Sequence, residues 1–145
     1  MTLIPILPST LAGTQTAIFF AENIPAGFPS PAAGYEADDL NLHDYCVRRP
    51  SATYFLRVSG DSMRDARIHD GDILVVDRAE EATDGSIVIA SVDNEFTVKQ
   101  LRLTPRPHLA PLNPAYRPIY FEADSLQLWG VVTFSVRKHG HVCPY

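Results

Sequence analysis

Lysine is scarce in this chain of 145 residues, which contains ten arginines but only Lys99 and Lys138. The formal net charge is −5 and basic residues do not cluster, which argues against direct binding of nucleic acid, because that needs basic side chains that neutralise phosphates. Any work on DNA would therefore need a partner protein. No apolar stretch approaches the roughly 20 residues that span a bilayer, and no basic residue precedes Arg48, so we expect neither a membrane anchor nor a usual signal peptide.

Cysteine is equally scarce, since only Cys46 and Cys143 occur. So few thiols fit a reducing cytoplasm rather than a disulfide framework. The histidines near Cys143 match no standard zinc-ligand spacing, and we expect no metal ion and no cofactor.

Alternating and β-branched residues dominate the chain after residue 50. The apolar content of 46% is enough for a hydrophobic core, and the length suits one domain, or one domain plus a tail. No helix of twelve or more residues is evident, and residues 93–94 are typical of a hairpin turn. The sequence predicts a mainly β fold, a curved sheet or small barrel, with strands at 53–58, 73–77, 86–92, 95–103 and 129–136.

The first 45 or so residues differ from the rest. They contain five of the twelve prolines and neither lysine nor arginine. Because proline removes a backbone donor and disfavours helix at the preceding residue, this region is predicted to be an extended N-terminal arm. A short helix is predicted at 38–47, ended by Pro50, and the proline-rich stretch 105–118 is predicted to be a loop with at most short edge strands.

Ser62 and Lys99 are the candidate catalytic residues. Ser62 follows a strand-like run that Gly60 interrupts, and Lys99 lies within a second strand-like run. A buried lysine can lose its proton, whereas arginine stays charged, so Lys99 is a candidate general base and Ser62 a candidate nucleophile. The alternative is an ordinary lysine whose head group reaches solvent from a strand.

Strand periodicity places Lys99 on an apolar face. Residues two apart share a face of a strand, so Thr97, Lys99, Leu101 and Leu103 should lie together. Neighbouring leucines would lower the lysine pKa by removing water from its charged form. A short helical turn at 63–66 would bring backbone N–H groups near the Ser62 hydroxyl, where they could form an oxyanion hole.

Several ordered motifs resemble one known family. Residues 51–55, 59–63, 70–72, 95–99 and 130–132 are similar to those of the LexA/UmuD-like self-cleaving serine peptidases (peptidase family S24) of the bacterial SOS response. The similarity runs from about residue 27 to residue 137. It implies a LexA-like peptidase fold in which Ser62 is the nucleophile and Lys99 the general base.

The resemblance also implies a cut within the chain's own N-terminal arm. The bond between Ala26 and Gly27 stands at the matching place. Ala26 suits a small pocket, and Gly27 has no side chain to obstruct the serine. The implied oxyanion donors are the backbone N–H groups of Ser62 and Asp61; the Asp61 side chain is expected to serve the turn rather than the chemistry, and Asp70 and Asp72 are expected to form turns and caps.

The resemblance further implies an organisation and partners. Residues 1–26 would be the arm removed by self-cleavage, 27–50 a linker with the short helix, 51–138 the LexA-like peptidase domain and 139–145 a tail. In the bacterial cytoplasm, a RecA filament on single-stranded DNA would accelerate the cut. The processed form would be a homodimer that serves an UmuC-type error-prone translesion DNA polymerase.

Three rival interpretations follow from the same residues. A repressor-type self-peptidase would need a DNA-binding domain, for which the roughly 26 residues before the predicted cut offer too little chain. A signal peptidase with a serine–lysine pair would need a membrane anchor. A polymerase accessory subunit that does not cleave could retain Ser62 and Lys99 as a silent pair.

Overall fold

The computed structural model describes residues 2–6, 16–20, 37–122 and 124–140. The chain divides into two units, one formed by Met1–Pro8 together with Arg49–Tyr145 and the other by Ser9–Arg48. None of the helices in these described ranges is long and apolar enough to cross a membrane. The predicted cleavage site at Ala26 and Gly27 and the end of the predicted tail, residues 141–145, lie outside the described residues.

The fold is mainly β, which confirms the predicted class. All strand pairs in the described ranges are antiparallel, and the ten strands are β1 Thr2–Ile6, β2 Ala17–Phe20, β3 Ala37–Leu40, β4 Thr53–Ser59, β5 Ile73–Asp77, β6 Ile87–Val92, β7 Glu95–Arg102, β8 His108–Ala110, β9 Ile119–Tyr120 and β10 Leu126–Val136. Eight of them form one curved sheet in the order β1-β4-β5-β10-β6-β7-β8-β9, and β2 pairs with β3 in a second sheet.

The large sheet buries side chains on both of its faces. Along β6, Ile89 belongs to one apolar cluster, whereas its neighbours Val88 and Ala90 belong to another. Adjacent strand residues point to opposite faces, so each cluster covers one face of the sheet. The cluster that contains Ile89 also contains Met63, the residue after the candidate nucleophile.

The predicted hairpin turn is confirmed, and a glycine inside β10 marks an irregularity of the sheet. Asp93 and Asn94 join β6 to β7 with φ values of 50° and 68°, as a two-residue hairpin turn requires. In β10 the register shifts at Gly130, whose φ is 148°. A Cβ atom there would lie 2.6 Å from Val76 Cγ1, so only glycine fits where β10 passes β5.

The predicted helix at 38–47 is wrong in its first part. Residues 37–40 form β3, and the helix α1 is shorter, Leu42–Cys46, with Asn41 accepting a hydrogen bond from the Asp44 N–H at 3.0 Å. Two consecutive aspartates, Asp38 and Asp39, favour neither structure strongly, and pairing with β2 decides the outcome. The N-terminal arm is also more regular than expected, because β1 pairs with β4 over five residues.

Candidate functional site

Ser62 lies on a tight turn directly after β4. Gly60 has φ of 101° and donates its N–H to Asp70 Oδ1 at 2.8 Å, which reverses the chain at the strand end. A 3-10 helix, Arg64–Ala66, follows, as the predicted helical turn at 63–66 required. Ser62 is 1% exposed and Met63 is fully buried, so the core anchors the turn that carries the serine.

Lys99 lies in the interior of β7, paired with Val88 of β6. The predicted face is confirmed for Leu101, which is buried, and for Thr97, whose hydroxyl contacts the lysine head group. Leu103 departs from that face, because β7 ends at Arg102 and Leu103 is 46% exposed. Lys99 itself is 5% exposed, so its head group does not reach solvent as an ordinary strand lysine would.

The two candidate residues meet. Lys99 Nζ lies 3.0 Å from Ser62 Oγ, 2.7 Å from Thr97 Oγ1 and 3.1 Å from the Val98 carbonyl oxygen. A neutral lysine amine has two hydrogens and one lone pair. If it donates those hydrogens to Thr97 and Val98, its lone pair remains to accept the Ser62 hydroxyl proton, so these partners suit the neutral form.

Burial lowers the pKa of Lys99 from its usual 10.5 to about 8. The cause is loss of water around the charged ammonium, as its apolar surroundings predicted. About one-tenth of the amine is therefore neutral at pH 7, and the neutral form is the one that a general base requires. The arrangement of a buried base next to a buried hydroxyl can activate the serine as a nucleophile.

Asp61 contributes its backbone carbonyl to the serine turn, whereas its side chain contacts a distant loop. Its carbonyl oxygen accepts hydrogen bonds from the Arg64 N–H at 3.1 Å and from Asn113 Nδ2 at 2.9 Å. Its carboxylate accepts one from the Tyr116 hydroxyl at 2.7 Å. Sequence reasoning missed Asn113 and Tyr116, because they lie in the proline-rich stretch 105–118, which was predicted to be a loop with at most short edge strands such as β8.

Asp70 and Asp72 also behave as turn residues. Asp70 accepts the Gly60 N–H, and buried Asp72 accepts the His69 N–H at 2.9 Å and two hydrogen bonds from Arg137. Burial alone would raise the pKa of Asp72, but the Arg137 guanidinium and the His69 N–H together lower it below its usual value. Arg137, just beyond β10, thus ties residues 69–72 to the sheet.

The backbone N–H groups next to the candidate nucleophile have no acceptor in the described part of the chain. None of the residues that the structure describes accepts a hydrogen bond from the N–H of Asp61 or Ser62, the two predicted oxyanion donors. Buried N–H groups are nearly always paired in folded proteins, so such a donor next to a candidate nucleophile is notable.

Comparison with known proteins finds a matching family and several relatives of similar sequence. Residues 18–133 match the model of the family described as Peptidase S24-like. Protein MucA of Salmonella typhimurium is 61% identical over 123 residues, which cover 83% of this chain and 84% of that protein. Protein SamA of Salmonella typhimurium is 51% identical over 136 residues, covering 94% and 96%, and a LexA repressor of Azoarcus sp. is 40% identical over 117 residues, covering 79% and 57%.

Proposed function

The chain belongs to the Peptidase S24-like family, which confirms the family predicted from its motifs, and we propose that it is a serine endopeptidase that cuts its own Ala26–Gly27 bond. The observation that carries the proposal is the buried contact of 3.0 Å between Lys99 Nζ and Ser62 Oγ. A structural lysine would gain little from such a position, because burying its charge is costly unless the amine can be neutral.

The first half of the reaction forms an acyl-enzyme. Neutral Lys99 takes the hydroxyl proton of Ser62 while Ser62 Oγ bonds to the Ala26 carbonyl carbon, whose oxygen becomes an oxyanion. Backbone N–H groups of Ser62 and Asp61 donate to that oxyanion. The carbonyl then re-forms, the Ala26–Gly27 C–N bond breaks, and the Lys99 ammonium gives its proton to the leaving Gly27 amine.

The second half releases the enzyme. Water attacks the ester between Ala26 and Ser62 while neutral Lys99 takes a proton from that water. Collapse of the second tetrahedral intermediate breaks the ester bond, and the ammonium returns its proton to Ser62 Oγ. The products are a fragment that ends in the Ala26 carboxylate and a chain that begins with the Gly27 amine.

The lysine pKa sets the pH dependence of this reaction. With a pKa of about 8, only about one-tenth of Lys99 is neutral at pH 7, whereas nearly all of it is neutral at pH 10. The cleavage rate should therefore rise roughly tenfold between those two pH values and level off above the pKa.

We extend the proposal to a role in the bacterial SOS response. The family resemblance and the similarity to Proteins MucA and SamA over more than four-fifths of the chain support an UmuD-like protein. Cleavage would then be slow in the isolated protein and fast with a RecA filament on single-stranded DNA, because the filament favours the state in which the arm is docked and Lys99 is neutral. The processed homodimer would act as accessory subunit of an UmuC-type translesion polymerase.

The decisive test is the intact mass of the purified protein after incubation. Samples at pH 7 and pH 10 are compared with and without RecA, an ATP analogue and single-stranded DNA. We expect a fragment that begins at Gly27, faster at high pH or with the filament and absent in Ser62→Ala. Ser59→Ala, a serine at the end of β4 outside the dyad, is the matched control and should cut normally.

Two results would overturn the proposal. Cleavage that persists in Ser62→Ala would exclude the serine as nucleophile. A chain that stays intact under every condition would instead favour an accessory subunit with a silent dyad. The match to a LexA repressor, of which the chain covers 57%, supports a second candidate, a repressor-type self-peptidase that lacks its DNA-binding domain. Self-cleavage whose product does not bind an UmuC-type polymerase would be its signature.

A further inference from the structure

The peptide unit between Asp61 and Ser62 links a well-anchored carbonyl to the predicted oxyanion donor. A trans peptide is planar, so the C=O of Asp61 and the N–H of Ser62 point in opposite directions. Any group that fixes the direction of the Asp61 carbonyl therefore also fixes the direction of the Ser62 N–H. This carbonyl has two donors, the Arg64 N–H and the side-chain amide of Asn113.

Asn113 is unusually well fixed for a residue in a proline-rich loop. It is 5% exposed, and both ends of its amide are used: Nδ2 donates to the Asp61 oxygen at 2.9 Å, and Oδ1 accepts the Ala115 N–H at 3.0 Å. With both ends bonded, the amide cannot rotate without breaking a buried hydrogen bond, which is costly. The contact joins positions 52 residues apart, so local sequence does not create it.

The same loop contacts the serine turn at two further points. The Tyr116 hydroxyl donates to Asp61 Oδ1 at 2.7 Å, and the Leu112 carbonyl accepts the Asp65 N–H at 2.7 Å. We call residues 112–116 the supporting loop. Three hydrogen bonds connect the supporting loop to the serine turn, two at Asp61 before Ser62 and one at Asp65 after it.

We propose that Asn113 is a positioning residue for the self-cleavage reaction, acting through the Asp61 carbonyl to aim the Ser62 N–H at the oxygen of the scissile carbonyl. This inference rests on the proposed function. Ser62 is buried, the bonds to the Asp61 oxygen fix its peptide unit, and no described residue accepts its N–H, so this donor is preorganised and no described residue occupies it. Preorganised donors of this kind stabilise the oxyanion without a cost of reorientation during the reaction.

The test is the pH profile of self-cleavage in Asn113→Ala and Tyr116→Phe. Loss of orientation at an oxyanion donor should lower the plateau rate above the lysine pKa by roughly tenfold to a hundredfold in Asn113→Ala. The midpoint of the profile should not move, because Asn113 does not contact Lys99. Tyr116→Phe removes one hydroxyl and should lower the plateau roughly two- to fivefold, the worth of one hydrogen bond.

Tyr120→Phe is the matched control. Tyr120 is also an exposed tyrosine of the same unit, but it lies in β9 and packs against Arg106 and His108, away from the serine turn. Its profile should equal that of the wild type. Thermal unfolding of each variant is recorded beside the rates, so that a loss of folded protein is separated from a loss of reactivity.

The outcomes are distinguishable. An unchanged plateau in folded Asn113→Ala, or a shifted midpoint with an unchanged plateau, overturns the inference while the proposed function stands. If Asn113→Ala does not fold, Asn113→Asp decides, because it keeps an oxygen for the Ala115 N–H but loses the donor to the Asp61 carbonyl; a wild-type plateau in that variant overturns the inference. A wild-type chain that never cuts removes the proposed function, and this inference with it.

Discussion

The two halves of the dyad are built in different ways. Lys99 lies within an eight-residue strand, and two of its three polar partners, Thr97 and Val98, are its near neighbours in sequence. Ser62 lies outside regular structure, and the groups that fix its turn come from Asp70 and from the supporting loop some fifty residues away. Regular strand geometry thus places the base, whereas long-range side-chain contacts place the nucleophile.

This difference indicates which substitutions should disturb Lys99 and which should disturb Ser62. Strand pairing with Val88 of β6 fixes the backbone of Lys99, so the reactivity of the lysine depends on what surrounds its amine. The backbone of Ser62 depends on single hydrogen bonds from distant side chains, each of which one substitution can remove. Substitutions near Lys99 should change the proton affinity of its amine. Substitutions around the serine turn should change the stability of the fold and the orientation of Ser62.

The largest effect is expected for Lys99→Arg. A guanidinium stays protonated at every accessible pH and cannot accept the Ser62 proton, so cleavage should fall below detection even at pH 10. The chain provides its own control in Lys138→Arg, the only other lysine, which should cut normally. The readout is intact mass against time, and residual cleavage by Lys99→Arg that rises with pH would contradict the role of the lysine.

Removing Arg137 should destabilise the serine side of the site. Asp72 is 2% exposed, and Arg137→Met would leave its carboxylate buried without its cation, which should lower the free energy of unfolding. Urea unfolding in a Ser62→Ala background measures this without interference from self-cleavage.

The pH dependence of that loss has a definite sign. The pKa of Asp72 is lowered in the folded state, so its contribution to stability is present above the unfolded pKa of about 3.8 and is lost as pH falls through the folded value. The difference between Arg137→Met and its parent should therefore be large at pH 7 and shrink on acidification below pH 4. An equal difference at both pH values would show that Arg137 acts through packing rather than through the carboxylate.

Lys99→Met should stabilise the protein at pH 7. Because burial lowers the pKa of Lys99 from 10.5 to about 8, keeping the charged lysine in the folded state costs roughly 3 kcal/mol at pH 7. Lys99→Met removes this cost, but it also removes the hydrogen bonds of the amine, which offsets about 1–2 kcal/mol of the gain. Between pH 8 and 10.5 the unfolded chain binds the proton that the folded chain has lost, so wild-type stability rises with pH. The net gain of about 1–2 kcal/mol should shrink above pH 8 and reverse by pH 10.5, where only the loss of the hydrogen bonds remains, measured by urea unfolding in the Ser62→Ala background.

The same comparison explains what the sequence could predict. The scarcity of lysine, the strand pattern around Lys99 and the apolar face that includes Leu101 were enough to predict a buried, activated base. Gly60 and the helical turn after Ser62 predicted a nucleophile on a turn. Asn113 and Tyr116 could not be found, because nothing in a proline-rich stretch reveals which distant carbonyl or carboxylate its side chains will meet.

Pairing between distant strands also explains where the secondary structure predicted from the sequence was wrong. Residues 37–40 have no strong strand pattern, and they become β3 only because β2 pairs with them. The alternating pattern predicted a strand that ends at Leu103. The observed strand β7 ends one residue earlier, at Arg102, where its pairing with β8 also ends. Local pattern therefore predicts which segments can be strands, and tertiary pairing sets where they stop.

The smallest expected effect, and the sharpest probe of the lysine side, is Thr97→Val. The substitution keeps the shape of the side chain but removes the oxygen that accepts from Lys99 Nζ at 2.7 Å. The charged amine has three hydrogens that need acceptors, so it loses more stabilisation than the neutral amine when the Thr97 oxygen is removed. The pKa of Lys99 should therefore fall further, and the midpoint of the cleavage profile should move to lower pH by less than about one unit. The plateau should fall only a few-fold, since Val98 and Ser62 still orient the amine. A midpoint that moves to higher pH would mean that Thr97 supports the neutral amine instead, and the lysine side would then depend on its hydrogen-bond partners as closely as the serine side does.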